Sequence, residues 1–169
     1  MFNPLQERIE HGHYALFFCL AITLHNVEES IWLPRWSQSA YSIQQPVSSN
    51  EFHFAVLVIT ALAYLTAFFF VQFAHSPLAK YAFSGFLWAM ILNTFFPHAL
   101  STIVMKAYAP RLLTGLLLIV PIHTFILYQL HKQRIVTFKE IVLSTIIVGA
   151  VLLLLIPTLF VLANRFVVY

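Results

Sequence analysis

The chain has 169 residues, of which 60% are hydrophobic and only 9% are charged, and its mean hydropathy is +0.84. These values lie outside the range of soluble domains and within the range of polytopic membrane proteins. The formal net charge of +3 comes from Lys and Arg spread over polar breaks rather than from a basic block. We therefore do not expect a nucleic-acid partner.

Five apolar windows follow one another along the chain, each at least the roughly 20 residues that cross a hydrocarbon core. Breaks that contain Pro, Ser, Lys or Arg separate them. We predict an all-α integral membrane bundle of about five transmembrane helices, which forms a single polytopic domain over residues 1–169. The predicted spans are approximately 13–33, 52–74, 78–105, 111–131 and 138–163.

The orientation in the membrane is predicted from the loop charges. Five spans place the two termini on opposite faces, and Lys132, Arg134 and Lys139 crowd one short loop. The positive-inside rule then favours a cytoplasmic N-terminus, in the cell (inner) membrane. We do not expect the first apolar run to be a cleaved signal peptide, because it leads into ionisable residues instead of a small-residue cleavage site.

The first span carries the sequence His-Asn-Val-Glu-Glu, His25 to Glu29, in which His25, Glu28 and Glu29 are ionisable. An ionisable group near mid-bilayer costs roughly 2.5–3.5 kcal/mol, so three of them need a partner, a cavity or a purpose. Positions i+3 and i+4 of a helix flank position i, so Glu28 and Glu29 bracket His25. Such a group can supply most of a metal ion's ligands, or a proton donor beside an acceptor. The alternative is that both Glu reach toward the nearby interface.

The position of the two Glu residues within their helix adds an electrostatic expectation. The span is predicted to end just before Pro34, which places Glu28 and Glu29 near a helix C-terminus. The helix dipole disfavours anions there, so we expect either a cation or protonation to offset their charge.

The third span offers a second polar group around Pro97. A proline has no N–H for the carbonyl four residues earlier, which is that of Asn93, so the helix is expected to kink. The freed carbonyl, the Asn93 amide and His98 would form one wall of a polar pocket. Alternatively, Thr94 or water satisfies the kink, and His98 bonds to a neighbouring helix.

The fourth span repeats this pattern, because Pro121 frees the carbonyl of Leu117 and His123 follows within the bilayer. His123 is as well explained by a hydrogen-bonded core residue as by a ligand. Because neighbouring spans alternate in direction, one half of the membrane would hold most of the candidates. These are His25, Glu28, Glu29, His53 and His98, with Asn93 and His123 forming the floor.

The His-x-x-Glu-Glu motif in a small all-helical membrane protein, with Asn and His on later spans, resembles the HXXEE family. The motif falls on His25, Glu28 and Glu29, and the later residues fall on Asn93 and His98, with His123 a further candidate. The resemblance covers most of the chain. It implies a membrane protein with an enzyme-like site, and it supplies neither a reaction nor a substrate.

The leading hypothesis is a membrane metalloenzyme that acts on a lipidic or apolar small molecule. His25, one or both Glu, and His98 or His123 would hold Zn²⁺ or iron, and the other Glu would act as general base. Such a site could activate water for hydrolysis, or O₂ if two irons are bound. The catalytic residues expected from this hypothesis are Glu28, Glu29, His98 and Asn93.

Two alternatives are open. In the first, the same residues transfer protons without a metal and isomerise or cyclise an isoprenoid or sterol-like substrate. In the second, the protein is a small transporter or accessory membrane subunit, in which buried Glu and His bind a cation or relay protons. A homo-oligomer could then supply the rest of the pathway.

Overall fold

The computed structural model describes residues 4–40, 46–73, 75–106 and 112–166, and every regular element in these ranges is helical. Two short π-helical turns interrupt the third and fourth spans. Arg111, the predicted first residue of the fourth span, lies outside the described residues. The elements are α1 (Pro4–Ser39), α2 (Ser49–Gln72), α3 (Pro77–Asn93), a first π-turn (Thr94–Ala99), α4 (Leu100–Met105), α5 (Leu112–Thr114), a second π-turn (Gly115–Ile119), α6 (Val120–Lys132) and α7 (Phe138–Phe166).

These elements form five segments that are long and apolar enough to cross a membrane, which confirms the predicted fold. Large apolar side chains cover their outer faces, and on α7 Leu153 and Leu154 are 75% and 74% exposed. Contact with lipid chains explains this exposure better than contact with water does. The five segments are Arg8–Ser39, Ser49–Gln72, Pro77–Met105, Leu112–Lys132 and Phe138–Phe166.

Helix α1 continues through Pro34 to Ser39 instead of ending near residue 33. A proline at position 34 leaves the carbonyl of Ser30 without its helical donor. The structure supplies another donor, because His53 Nε2 on α2 lies 2.9 Å from the Ser30 carbonyl oxygen. This bond satisfies the freed carbonyl, and the helix can therefore pass the proline.

The bundle core is built from aromatic rings on three helices. Phe70 on α2 stacks on Phe83 of α3 with ring centroids 4.3 Å apart, and Phe18 of α1 meets Phe83 edge-on. Helix α3 also runs very close to α7, since a Cβ atom added to Gly85 would lie 2.5 Å from the backbone oxygen of Ser144. The ring contacts pack α1, α2 and α3 together, and the close approach of the two backbones packs α3 against α7.

The two π-turns face each other inside the bundle. The first contains a non-helical residue, Phe96 (φ −132°, ψ 113°), directly before Pro97, so the kink predicted for the third span is present. In the second, the N–H of Val120 bonds to the carbonyl of Gly115, five residues earlier. Gly115 lies against Thr94, because a Cβ on Gly115 would be 2.6 Å from Thr94 Cγ2. Such turns often occur at functional sites.

Candidate proton-transfer site at the facing helix breaks

Glu28 projects from α1 onto the beginning of the fourth span. Its Oε2 accepts the backbone N–H of Thr114 at 3.0 Å and also the Thr114 hydroxyl. The first N–H groups of a helix have no partner within the helix, and the positive end of its dipole favours an anion. Thr114 is the last residue of α5, within this first stretch of the span. Glu28 therefore occupies a place that suits a carboxylate.

This placement corrects the electrostatic expectation for the motif. Helix α1 extends to Ser39, so Glu28 and Glu29 lie well inside the helix, and the prediction that they face its C-terminal dipole was wrong. The correction follows from the bond between His53 and Ser30, which lets the helix pass Pro34. The helix end that acts on Glu28 belongs to another span.

His25 joins the same group through Thr114. Its Nδ1 lies 3.0 Å from the Thr114 hydroxyl oxygen, and the imidazole is fully buried. Glu28, Thr114 and His25 thus form one continuous chain of hydrogen bonds between two spans. Such a chain can move a proton between a carboxylate and an imidazole.

His98 enters from the first π-turn. The ring is 2% exposed and lies close enough to Glu28 for their charges to interact. Its backbone carbonyl accepts a hydrogen bond at 3.1 Å from the hydroxyl of Thr102, which lies one turn further along the chain. The structure therefore joins His25 and Glu28 through Thr114 and places His98 within electrostatic range of Glu28.

Glu29 and Asn93 were also predicted to belong to the site. Glu29 is buried beside His25 and Glu28 on α1. Asn93 is the last residue of α3 before the first π-turn and is partly buried. Both residues border the group on their own helices, and their catalytic roles stay predictions.

His123 lies apart from this group. Its Nδ1 donates to the carbonyl of Leu87 at 3.0 Å, and its ring packs at 5.3 Å from the ring of Phe18. Phe18 precedes His25 by two helical turns, which corresponds to about 10 Å along α1. His123 is thus held as a hydrogen-bonded core residue at a deeper level, as one of the two sequence-based alternatives expected.

An open groove between α1 and α2 lies on the face of α1 that carries Thr23, Asn26, Val27 and Ser30, which helical periodicity turns away from His25 and Glu28. Its volume is about 1060 Å³, and most of its lining is apolar, including Leu57, Leu65 and Phe68. Its polar residues include Asn26, which donates to Thr60 at 2.7 Å. His53, which the sequence analysis also placed among the candidates, lines this groove and bonds there to the carbonyl of Ser30.

The donor set bears on the predicted metal. His25, Glu28 and His98 are nitrogen and oxygen donors of the kind that zinc and iron accept. Within the four described ranges, no three His, Cys, Asp or Glu side chains are grouped so that they could hold a metal ion. The arrangement that these ranges do show is a hydrogen-bonded chain through a hydroxyl.

Thr114 is the site residue that sequence reasoning missed. Its weak signal is the pair Thr114-Gly115, a hydroxyl followed by a helix-weakening glycine near the start of an apolar span. Nothing in local spacing shows that this hydroxyl faces Glu28, which lies 86 positions earlier.

Two comparisons with known proteins find relatives of this chain. The model of a family described as "Protein of unknown function with HXXEE motif" matches residues 16–126, which include His25, Glu28, His98 and Thr114. A protein of Bacillus subtilis (strain 168), described as uncharacterized protein YrkK, is 55% identical over 148 residues, or 88% of this chain and 94% of that relative. No solved structure matches the chain.

Proposed function

Since the chain belongs to the HXXEE family, whose motif supplies His25 and Glu28 of the hydrogen-bonded chain through Thr114, we propose that it is an integral membrane enzyme that transfers protons on a lipidic or apolar substrate. The single observation that carries this proposal is the hydrogen bonding of a motif carboxylate and the motif imidazole to one hydroxyl. This arrangement joins a proton acceptor to a proton donor through a hydroxyl on a second span.

In the proposed reaction, His25 and Glu28 act as the acid–base pair, and His98 is a second buried imidazole within electrostatic range of the same carboxylate. The burial of His25 and His98 excludes water, which strengthens each electrostatic interaction at the site. The expected chemistry is double-bond isomerisation or cyclisation, in which one group removes a proton and another returns one.

The substrate class is proposed from the surroundings of the site. The pair lies within apolar spans, and on another face of α1 the groove beside α2 has a volume of about 1060 Å³ and a mostly apolar lining. An isoprenoid or acyl chain could lie against such a surface from the lipid phase, since its lining among the described residues contains no Asp, Glu, Lys or Arg. A water-soluble, highly charged substrate would have no comparable surface there.

Solvent-deuterium incorporation tests the proposal without a known substrate. Purified protein is reconstituted with a total bacterial lipid extract in D₂O, and the lipids are surveyed by mass spectrometry for species that gain deuterium. The wild type should label one lipid class, because acid–base chemistry exchanges substrate protons with solvent. Glu28→Gln should abolish the labelling.

The matched control is Glu51→Gln, which changes a carboxylate outside the site. Glu51 closes a capping box with Ser48 at the start of α2, and Gln serves in the same motif. This variant should label lipids as the wild type does. Equal labelling by wild type and Glu28→Gln, or none by either, would contradict the proposal.

A metal-dependent enzyme is the second candidate, and the mixed nitrogen and oxygen donors of His25, Glu28 and His98 favour it. The ion would be zinc or iron, which would polarise a substrate or activate water. It predicts near-stoichiometric metal in purified protein, lost in His25→Ala, Glu28→Gln and His98→Ala.

A further inference from the structure

We propose that Thr114 is a positioning residue that fixes the tautomer of His25 and passes a proton between His25 and Glu28. The inference deepens the proposed function and depends on it for its chemical purpose. It assigns the receiving atom, because the nitrogen that takes the substrate proton is then His25 Nε2. No part of the His-x-x-Glu-Glu motif contains this threonine.

Counting hydrogen atoms leads to this assignment. An ionised carboxylate only accepts hydrogen bonds, and a threonine hydroxyl has one hydrogen to give. Thr114 gives that hydrogen to Glu28 Oε2, where its backbone N–H also donates. The contact of 3.0 Å between the Thr114 oxygen and His25 Nδ1 must therefore use a hydrogen from Nδ1. A neutral His25 then carries its lone pair on Nε2.

The backbone N–H of Thr114 fixes the donor and acceptor roles in this chain of hydrogen bonds. A side-chain hydroxyl can rotate, but the N–H of Thr114 points at Oε2 as part of the helix backbone. Because two donors converge on this one oxygen, an acceptor is required there. The hydroxyl therefore has a fixed acceptor on one side and is left to accept from His25 on the other.

The proposed step conserves atoms and charge. As His25 Nε2 takes a proton from the substrate, the Nδ1 proton moves to the Thr114 oxygen, and the Thr114 hydroxyl proton moves to Glu28 Oε2. The electron pair of the broken bond stays on the substrate. Before the step the negative charge is on Glu28, and afterwards it is on the substrate.

This route avoids a buried imidazolium ion. If His25 kept both protons, the site would hold a cation and two anions in a region that excludes water, and separated charges are poorly stabilised there. In the relay, His25 is neutral before and after the step and only exchanges one tautomer for the other. The full burial of His25 therefore favours the neutral imidazole that the relay preserves.

The test is the protonation state of each His25 nitrogen, measured by ¹⁵N NMR on histidine-labelled protein in lipid, with the His25 signals identified by their loss in His25→Gln. Wild type and Thr114→Ser should carry the proton on Nδ1 and none on Nε2. Thr114→Val, which keeps the shape but removes the hydroxyl, should lose this preference. A wild-type His25 protonated at Nε2, or an unchanged tautomer in Thr114→Val, would overturn the proposal.

A second variant separates positioning from proton transfer. In Glu28→Gln, the two Thr114 donors select the amide oxygen for the place of Oε2, so the Nδ1–H tautomer should persist while deuterium labelling of lipid is lost. Labelling that persists in this variant would overturn the relay. The NMR result does not require turnover: an Nδ1–H tautomer that depends on Thr114, without lipid labelling in the wild type, would contradict the enzyme and leave the positioning role standing. If Thr114→Val does not fold, the wild type, Thr114→Ser and Glu28→Gln still decide the outcome.

Discussion

Glu28 and Thr114, which are 86 positions apart, are joined by two hydrogen bonds that end on a single carboxylate oxygen. The pair ties the middle of α1 to the first turn of the fourth span. The motif glutamate therefore has a structural role as well as a chemical one. This double role makes the choice of substitution important, because a change that removes the acceptor differs from one that removes only the charge.

Replacing Glu28 by Ala should destabilise the protein more than replacing it by Gln. Alanine leaves the partly buried N–H and hydroxyl of Thr114 without their acceptor, which typically costs about 1–3 kcal/mol, whereas glutamine keeps an acceptor oxygen. The measurement is denaturant unfolding in detergent for both variants and for Glu51→Gln as a control. Equal unfolding free energies for Glu28→Ala and wild type would contradict the observed pairing.

Gly115→Ala should distort the contact between the two π-turns. The new Cβ would lie 2.6 Å from Thr94 Cγ2, and Thr94 is held in place by its bond to the carbonyl of Met90. Overpacking of this kind costs about 1–3 kcal/mol, against a gain of up to about 1 kcal/mol in helix propensity. Thr94→Ser removes the clashing methyl group and keeps the hydroxyl.

The thermal unfolding midpoints of the four proteins in this cycle check the prediction. Gly115→Ala should lower the midpoint in the wild-type background and lower it less in the Thr94→Ser background, where Oγ1, 3.0 Å from the added Cβ, is the remaining close contact. Gly12→Ala, where an added Cβ meets nothing within 4 Å, is the control. If Gly115→Ala had the same effect in both backgrounds, the Thr94 methyl group would not be what the added Cβ contacts.

His53 and Pro34 should be coupled in stability. His53→Ala removes the donor to the Ser30 carbonyl and should cost about 1–2 kcal/mol. Pro34→Ala restores a backbone N–H four residues after Ser30, so the same His53 substitution should then cost much less. Unfolding free energies for the double-mutant cycle measure this coupling, and additive losses would contradict the account of how α1 passes its proline.

Gly85→Ala should force α3 away from α7. A Cβ at this position would lie 2.5 Å from the backbone oxygen of Ser144, which cannot move without its helix. We expect a loss of about 1–3 kcal/mol. Gly149→Ala on α7 has open space around the added carbon and should be neutral or slightly stabilising. Comparable unfolding free energies for the two variants would be inconsistent with the close packing of α3 on α7.

The fold was predictable because each apolar window is long enough to span a bilayer, and backbone hydrogen bonds in lipid leave few alternatives to helices. The kink at Pro97 was also predictable, since a proline removes a local donor. The continuation of α1 beyond Pro34 was not, because the compensating donor is His53 on another helix. Local rules predict the broken bond but not the distant group that replaces it.

In the candidate site too, the residues that local helix geometry places were predictable, and the one that depends on a distant contact was not. Helical periodicity places His25 and Glu28 on adjoining turns of one helix, and depth in the membrane brought His98 into the same set. Thr114 could not be selected in this way, because its contact with Glu28 depends on how the fourth span begins and how the spans pack. For His123 the sequence predicted too much. Its expected depth in the membrane suggested a neighbour of the site, whereas its bond to the Leu87 carbonyl holds it about two helical turns away.

The central claim is that the protein's own groups, Glu28, Thr114 and His25, transfer the proton. The most direct test is lipid deuterium labelling by reconstituted wild-type protein before and after exhaustive chelation, with metal content measured by mass spectrometry on the same samples and without affinity-tag histidines. The account predicts that labelling persists in metal-depleted wild type and is absent in Glu28→Gln. Labelling that stops on chelation and returns with zinc or iron would contradict it and establish the metal-dependent enzyme instead.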